Sequence, residues 1–175
     1  MLKKSIQIKK HGGFTLIEIM VALSIVGILI AMSYPMFTSS MINNRLYSKA
    51  TQTNAILSLA RNEAIRRNDF VTVCPTSNGT TCVASNNFQT GTIVFSNPNN
   101  AGLTNTNQII RVFDKWTQPD NGKITTGNSI TFSAEGRVNT SNTVLICKAT
   151  YNSFLIDLNA SGLIKLKNNT GDGGC

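Results

Sequence analysis

The chain of 175 residues is short of histidine and of acidic side chains, and these shortages exclude most enzyme chemistry. Its single histidine, His11, precedes a long apolar run, so the rest of the chain has no imidazole for a Ser-His-Asp or Cys-His arrangement. The eight acidic residues are scattered singly, and no D-x-[DN]-x-D, H-E-x-x-H or G-x-G-x-x-G pattern is present. We therefore predict no catalytic residues, no metal site and no cofactor.

What the chain does have is an apolar run that follows a basic start. Four lysines lie before Gly13, and about 19 mostly apolar residues follow from Phe14, enough to span a bilayer as a helix. No A-x-A cleavage site ends this run, whereas the small-residue pair Gly12-Gly13 precedes it. Cleavage after this pair would remove the basic leader and keep the helix. The lysines predict that the leader faces the cytoplasm.

The string Gly13-Phe14-Thr15-Leu16-Ile17-Glu18 resembles the class III signal of type IV prepilins and type II secretion pseudopilins. The resemblance implies that a prepilin peptidase cuts between Gly13 and Phe14 and that Phe14 is N-methylated. The mature chain would then have 175 − 13 = 162 residues, with Glu18 as its fifth. It also implies an assembly role for Glu18, whose carboxylate would pair with an N-terminal ammonium of its own or a neighbouring chain. The alternative is an interfacial acid without a partner.

A helical pattern continues beyond the apolar run. Small or apolar residues recur every three or four positions with basic residues between them: Ile42, Leu46, Ala50, Thr53, Leu57, Ala60 and Ala64, with Arg45, Lys49, Arg61 and Arg66. One helix is therefore predicted from about Phe14 to Arg67. The resemblance to pilins implies a soft point at Gly27 and Pro35, and the alternative is that Pro35 only kinks the helix where it leaves the membrane.

The rest of the chain has the pattern of short strands. Apolar or β-branched runs occur at 71–73, 92–95, 109–113, 130–132, 143–147, 154–158 and 163–167, and SNGT, NPNNAG, PDNGK, AEGR and NASG are predicted as turns. The fold class is therefore α+β and pilin-like, with a long N-terminal helix packed on an antiparallel β-sheet head. The predicted segments are a cleaved leader at 1–13, a transmembrane and filament-core helix at 14–37, an amphipathic helix at 38–67 and the head at 68–175.

The four cysteines contain no C-x-x-C pair, which argues against zinc and redox chemistry. An even number in an exported chain favours two disulfides, for which three pairings exist. Cys74 and Cys82 enclose a short run of turn residues and are the favoured pair, which leaves Cys147 with Cys175. Four free thiols are the alternative.

The head resembles the GspH/FimT group of minor pilins and pseudopilins (FimU- or FimT-like), in FSAEGRV at 132–138 and SGLIKLK at 161–167. Some FimT-type members bind DNA through Gly-Arg-x-Arg near the C-terminus, where this chain has Gly162-Leu163-Ile164-Lys165. The structural, FimU-like members are therefore the better match. Candidate DNA contacts are still the basic and aromatic residues Arg111, Lys115, Trp116, Arg137, Lys165 and Lys167. The alternative is a solvated strand face with a partly buried tryptophan.

The resemblance implies a minor type IV pilin that sits in the inner membrane with its head in the periplasm and then joins an extracellular pilus. Its implied partners are the prepilin peptidase and, through the N-terminal helix, other major and minor pilins. Priming of assembly or membership of the tip complex would follow, with twitching motility, adhesion and DNA uptake as consequences. The alternatives are a DNA-binding receptor pilin for natural transformation and a type II secretion pseudopilin.

Overall fold

The computed structural model describes residues 13–102, 108–118, 120–169 and 175, so the predicted leader lies outside it up to residue 12. The described residues form α1 (Leu16–Arg67), β1 (Val71–Pro75), β2 (Thr92–Ser96), β3 (Ile109–Phe113), β4 (Asn121–Ile124), β5 (Ile130–Phe132), β6 (Asn142–Cys147), β7 (Ser153–Leu158) and β8 (Ile164–Asn169). Two 3₁₀ turns, Phe88–Thr90 and Pro98–Asn100, flank β2. The chain divides into two compact units, Met1–Ser40 and Met41–Cys175, and α1 contributes to both.

The C-terminus of α1 is a Schellman motif. Asn68 has a φ of +53°. Its N–H donates to the carbonyl of Ile65 at 3.2 Å, and the N–H of Asp69 donates to that of Ala64 at 3.1 Å. Asparagine tolerates this left-handed conformation, and the two bonds satisfy carbonyls that the end of a helix leaves open. The chain therefore turns into β1 directly after Arg67.

The second unit buries the stripe on α1 that the sequence predicts. Six of its members are no more than 5% exposed: Leu46, Ala50, Thr53, Leu57, Ala60 and Ala64. They share one apolar core with residues from both sheets, such as Val73 of β1 and Ile146 of β6. The burial of this stripe holds the C-terminal half of α1 against the strands, because apolar area removed from water is the main stabilising term in such a core.

The strands form two antiparallel sheets with the orders β3-β2-β1-β5 and β4-β6-β7-β8. In β1, alternate residues serve different clusters, because Val71 and Val73 join the main core while Cys74 packs with Ile93 and Phe95 in a smaller one. The predicted α+β class, a long N-terminal helix with antiparallel sheets, is confirmed. The seven predicted strands lie within two residues of their observed positions.

One strand contradicts the sequence analysis, which predicts a turn at PDNGK. Asn121–Ile124 is β4, and it pairs with β6 from Asn121 opposite Cys147 to Ile124 opposite Val144. Asn-Gly favours a turn locally, but here the missing side chain of Gly122 makes room for the indole of Trp116, which occupies the place of a Cβ. Tertiary packing thus overrides the local preference.

The two segments that resemble the GspH/FimT group meet at a pair of glycines. Gly136 and Gly162 have φ values of +71° and +75°. A Cβ on Gly162 would overlap the carbonyl oxygen of Gly136, and that oxygen accepts a hydrogen bond from Arg61 Nε at 3.0 Å. The turn after β5 and the turn after β7 therefore pack backbone against backbone beside α1.

The last turn of α1 makes the stability of the fold dependent on pH. Glu63 accepts hydrogen bonds from Arg66 at 2.6 Å and from Arg67 at 2.7 Å, and these bonds lower its pKa from 4.5 to about 2. Because the pKa is lower in the folded than in the unfolded chain, ionised Glu63 stabilises the fold above about pH 4.5. This contribution is lost as the pH falls from 4.5 towards 2.

We expect Glu63→Gln to flatten this pH dependence. Urea unfolding at pH 6 and at about pH 2.5 should show a smaller loss of free energy of unfolding for the variant than for the wild type, since the amide does not titrate. Other carboxylates contribute equally to both proteins and cancel in the difference. Identical losses in the two proteins would show that the Glu63 pairs make no net contribution to stability.

Candidate functional site

The first helical turn contains the residues that the sequence analysis assigns to processing and assembly. Gly13 and Phe14 precede the helix, and the side chain of Phe14 is 78% exposed. The Oγ1 of Thr15 accepts the N–H of Glu18 at 3.3 Å, so Thr15 is the N-cap and α1 begins at Leu16 rather than at Phe14. Glu18 is the third helical residue and is exposed, at the end of the helix where the backbone dipole favours a negative charge.

The first unit exposes a continuous apolar surface. Among its described residues, the large apolar side chains from Phe14 to Phe37 are between 46% and 78% exposed. By length and composition alone, α1 is the one helix in the described part of the chain that could cross a membrane. Such a surface needs lipid or other apolar helices around it, because water does not tolerate an apolar patch of this size.

Polar side chains within this apolar half bond back to the helix. Ser24 Oγ donates to the carbonyl of Met20, and Ser33 Oγ donates to that of Leu29, each at 2.8 Å. Their polar atoms are therefore satisfied without water, as a lipid or protein environment requires. The backbone is helical through Gly27 and position 35. Loosening of the helix at these two positions in a filament stays a prediction.

The described residues contain two disulfides, and they are the two that the sequence analysis favours. Cys74 is joined to Cys82 and Cys147 to Cys175. The first closes the loop that follows β1, and the second ties the last residue of the chain to the end of β6. Each removes conformations from the unfolded chain, and the second closes the larger loop.

The candidate DNA contacts on β8 lie at the edge of the second sheet. Lys167 Nζ is 2.6 Å from Asp157 Oδ2, and this hydrogen bond, with a weaker one from Thr143, lowers the pKa of Asp157. The charge of Lys167 is thus compensated within the sheet. Lys165 lies opposite Asp157 in the register of β7 and β8 and is exposed.

The other candidates lie elsewhere, and the structure does not bring all six together. Arg111 is exposed on β3 of the first sheet, and Arg137 is exposed in the turn after β5. Trp116 is half-buried against Gly122, with Lys49 Nζ 5.4 Å from its ring centroid, while Lys115 beside it is exposed. These contacts reduce the ring area left for base stacking. Lys49 belongs to this cluster although the sequence analysis places it only on the polar side of α1.

An ion pair between α1 and the segment before β4 escapes sequence reasoning altogether. Asp120 has a fully buried side chain, and both of its oxygens accept hydrogen bonds from Arg45, at 2.7 and 2.8 Å. The hydrogen bond with Asp120 raises the pKa of Arg45, and the nearby Tyr151 adds to this effect. The two residues are 75 positions apart, and neither stands in a motif that signals the contact.

Chemistry beyond binding finds little support in the described residues. No group of three or more histidine, cysteine, aspartate or glutamate side chains among them could hold a metal ion. The largest cleft, of about 740 Å³, lies beside the Cys74–Cys82 disulfide on the first sheet. Its described lining has no charged side chain, and it includes Thr72, Thr131 and Asn97, which bond to one another. It therefore offers no group for acid–base catalysis.

Comparison with known proteins places these features in one family. A family model described as Type II transport protein GspH matches residues 49–162, and one described as the prokaryotic N-terminal methylation motif matches residues 8–34. No curated protein sequence matches the chain significantly. Two crystal structures of the type IV minor pilin FimU from Pseudomonas aeruginosa, each 21% identical, have a similar fold. Their TM-scores are 0.57 and 0.54, over 71% and 69% of this chain and 90% and 91% of the FimU chains. Since the GspH model spans well over half of the sequence, the chain belongs to the GspH family, among the minor type IV pilins and pseudopilins.

Proposed function

We propose that the chain is a minor type IV pilin, made as a prepilin, cut between Gly13 and Phe14, N-methylated at Phe14 and then built into a pilus. The observation that carries the proposal is a coincidence in position. The methylation motif at residues 8–34 covers a helix that begins at Leu16, directly after the proposed cut. That helix exposes its apolar side chains as far as Phe37, which suits lipid first and neighbouring subunits later.

Before assembly, residues 14–37 hold the subunit in the inner membrane with the head in the periplasm. During assembly the same residues exchange lipid for the helices of other pilins, and the head contributes contacts of its own. Cleavage creates an ammonium on Phe14, and the carboxylate of Glu18 pairs with that group of a neighbour. The subunit is structural and has no catalytic role.

Within the pilus we propose a place in the complex that primes assembly or sits at the tip. The similarity in fold to the minor pilin FimU supports this placement, and twitching motility, adhesion and DNA uptake would follow from it indirectly. The family description, Type II transport protein GspH, supports the alternative of a secretion pseudopilin that uses the same helix. Restoration of pili, rather than of secretion, in a deletion strain complemented with this chain would favour the pilus.

Direct binding of DNA is the second candidate function. It is supported by exposed cations that make no ion pair among the described residues, such as Arg111, Arg137 and Lys165. These groups would grip phosphates, and the binding would weaken steeply as salt rises. If duplex and single-stranded DNA both fail to bind at low salt, the receptor hypothesis is excluded.

N-terminal sequencing of the protein extracted from membranes tests the proposal most directly. We expect the sequence to start at Phe14, and mass spectrometry should show one added methyl group on a chain of 175 − 13 = 162 residues. A prepilin-peptidase deletion strain is the matched control and should keep residues 1–13. A mature terminus at any other residue would refute the proposed processing, and the assembly role of Glu18 with it.

A further inference from the structure

The head concentrates its amphipathic aromatic side chains in one place. The sequence has one tryptophan and three tyrosines, and Tyr34 belongs to the apolar unit. The other three, Tyr47, Trp116 and Tyr151, lie around the residues with which α1 enters the second unit. Tyr47 contacts Phe154 at a centroid distance of 5.6 Å, Trp116 lies beside Lys49, and Tyr151 lies close to Arg45.

Three lysines accompany these rings. Lys49 and Lys148 place their ammonium groups 5.4 and 5.7 Å from the ring centroids of Trp116 and Tyr151, and Lys115 precedes Trp116 in the chain. We call this surface the basic aromatic face; it consists of Tyr47, Lys49, Lys115, Trp116, Lys148 and Tyr151.

The basic aromatic face has an excess of positive charge. Its three lysines form no ion pair with an acid of the described chain. Asp120 is buried and committed to Arg45. Asp114, one residue before Lys115, is exposed and is the one acid of the face's own segments, which leaves a charge of +3 − 1 = +2. By contrast, the carboxylates of Glu63 and Asp157 compensate cations on other surfaces.

Chain connectivity keeps this face near the bilayer. Lys49 follows Phe37 by 12 residues, about 18 Å at the rise of a helix. The headgroup layer is about 6 Å thick, and the Debye length adds about 8–10 Å, while a lysine side chain extends the reach further. Tryptophan and tyrosine are also the side chains that membrane–water interfaces favour, because a polar tip can stay wet while the ring enters the headgroups.

We propose that the basic aromatic face binds the anionic lipid headgroups of the membrane that holds the subunit before assembly. The proposal rests on the membrane anchorage of the proposed function. The lysines bind phosphate groups, and Tyr47 with the edge of Trp116 enters the headgroup layer. Entry into the filament then requires the face to leave the lipid, so the head is docked on the membrane only in the waiting subunit.

The single tryptophan makes this inference testable in the full-length protein. The mature chain is reconstituted in phosphatidylcholine vesicles with or without 30% phosphatidylglycerol, and a nitroxide on a lipid headgroup quenches Trp116. We expect quenching to be about two- to fivefold stronger with the anionic lipid, and the difference to vanish in about 0.5 M salt. Replacement of Lys49, Lys115 and Lys148 by glutamine should abolish the difference.

A triple variant with the same loss of charge is the matched control. Arg111, Arg137 and Lys165 are exposed on other surfaces, and their replacement by glutamine should leave the lipid-dependent quenching unchanged. Quenching that is equal in both lipids, or equally reduced in both triple variants, would overturn the proposal. So would a response of Trp116 emission to duplex DNA but not to phosphatidylglycerol. Flotation after alkaline extraction separates this result from a failure of anchorage, which would overturn the proposed function as well.

Discussion

Replacement of Glu18 by glutamine is expected to leave cleavage and membrane insertion intact and to lower incorporation into pili about a hundredfold or more. Insertion should not suffer, because the change removes a charge that costs about 2.5–3.5 kcal/mol at mid-membrane and less near the interface. Assembly should suffer, because the ammonium on Phe14 of a neighbour would be left unpaired among apolar helices. The loss of one partner of a buried pair costs roughly 3–5 kcal/mol, and about 2.8 kcal/mol is a factor of a hundred.

The geometry of the first turn supplies a control that separates charge from helix capping. It is the N–H of Glu18, and not its carboxylate, that donates to Thr15 Oγ1, so glutamine at position 18 keeps the cap. Thr15→Ala removes the cap and keeps the carboxylate, at a cost of about 0.5–2 kcal/mol. We expect this variant to assemble far better than Glu18→Gln. The amount of each variant in sheared pili, divided by that in the membrane fraction, measures the effect; wild-type incorporation of Glu18→Gln would refute the assembly role.

Sequence reasoning succeeds here where the signal is local and periodic. The stripe from Leu46 to Ala64 repeats every three or four residues, and the helix buries it as predicted. Strands bounded by turn residues are also predictable, because β-branched runs and turn-forming residues each act within a few positions. The assembly segment is readable for the same reason, since Gly13, Phe14 and Glu18 stand within six consecutive residues.

It fails where distant parts of the chain decide the outcome. Asn121-Gly122 is a turn signal by composition, and only the indole of Trp116 and the pairing with β6 make it a strand. The pair of Arg45 and Asp120 joins residues 75 positions apart. No pattern shows that Asp157 takes up the charge of Lys167, although that contact lowers the number of cations available for DNA.

The second prediction with a large expected effect concerns the paired glycines. Gly162→Ala is expected to lower the free energy of unfolding by about 3 kcal/mol or more. A left-handed conformation costs a residue with a Cβ roughly 1–2 kcal/mol. In addition, the new Cβ would overlap the carbonyl oxygen of Gly136, so the turn after β5 must move. That movement would break the hydrogen bond from Arg61, a charged-group bond worth about 1.5–3 kcal/mol.

Gly127 provides the matched control, because it has a φ of +78° and nothing within 4 Å of the place of its Cβ. Gly127→Ala thus has the conformational cost without the collision and should lose only about 1–2 kcal/mol. Urea unfolding of the detergent-solubilised protein, followed by the emission of Trp116, measures both variants. If both alanines cost the same, the contact between the two turns contributes nothing. If Gly162→Ala alone is severe, then the segments that resemble the GspH/FimT group are retained for a backbone contact that fixes the head on α1. They would then not need a binding role to account for them.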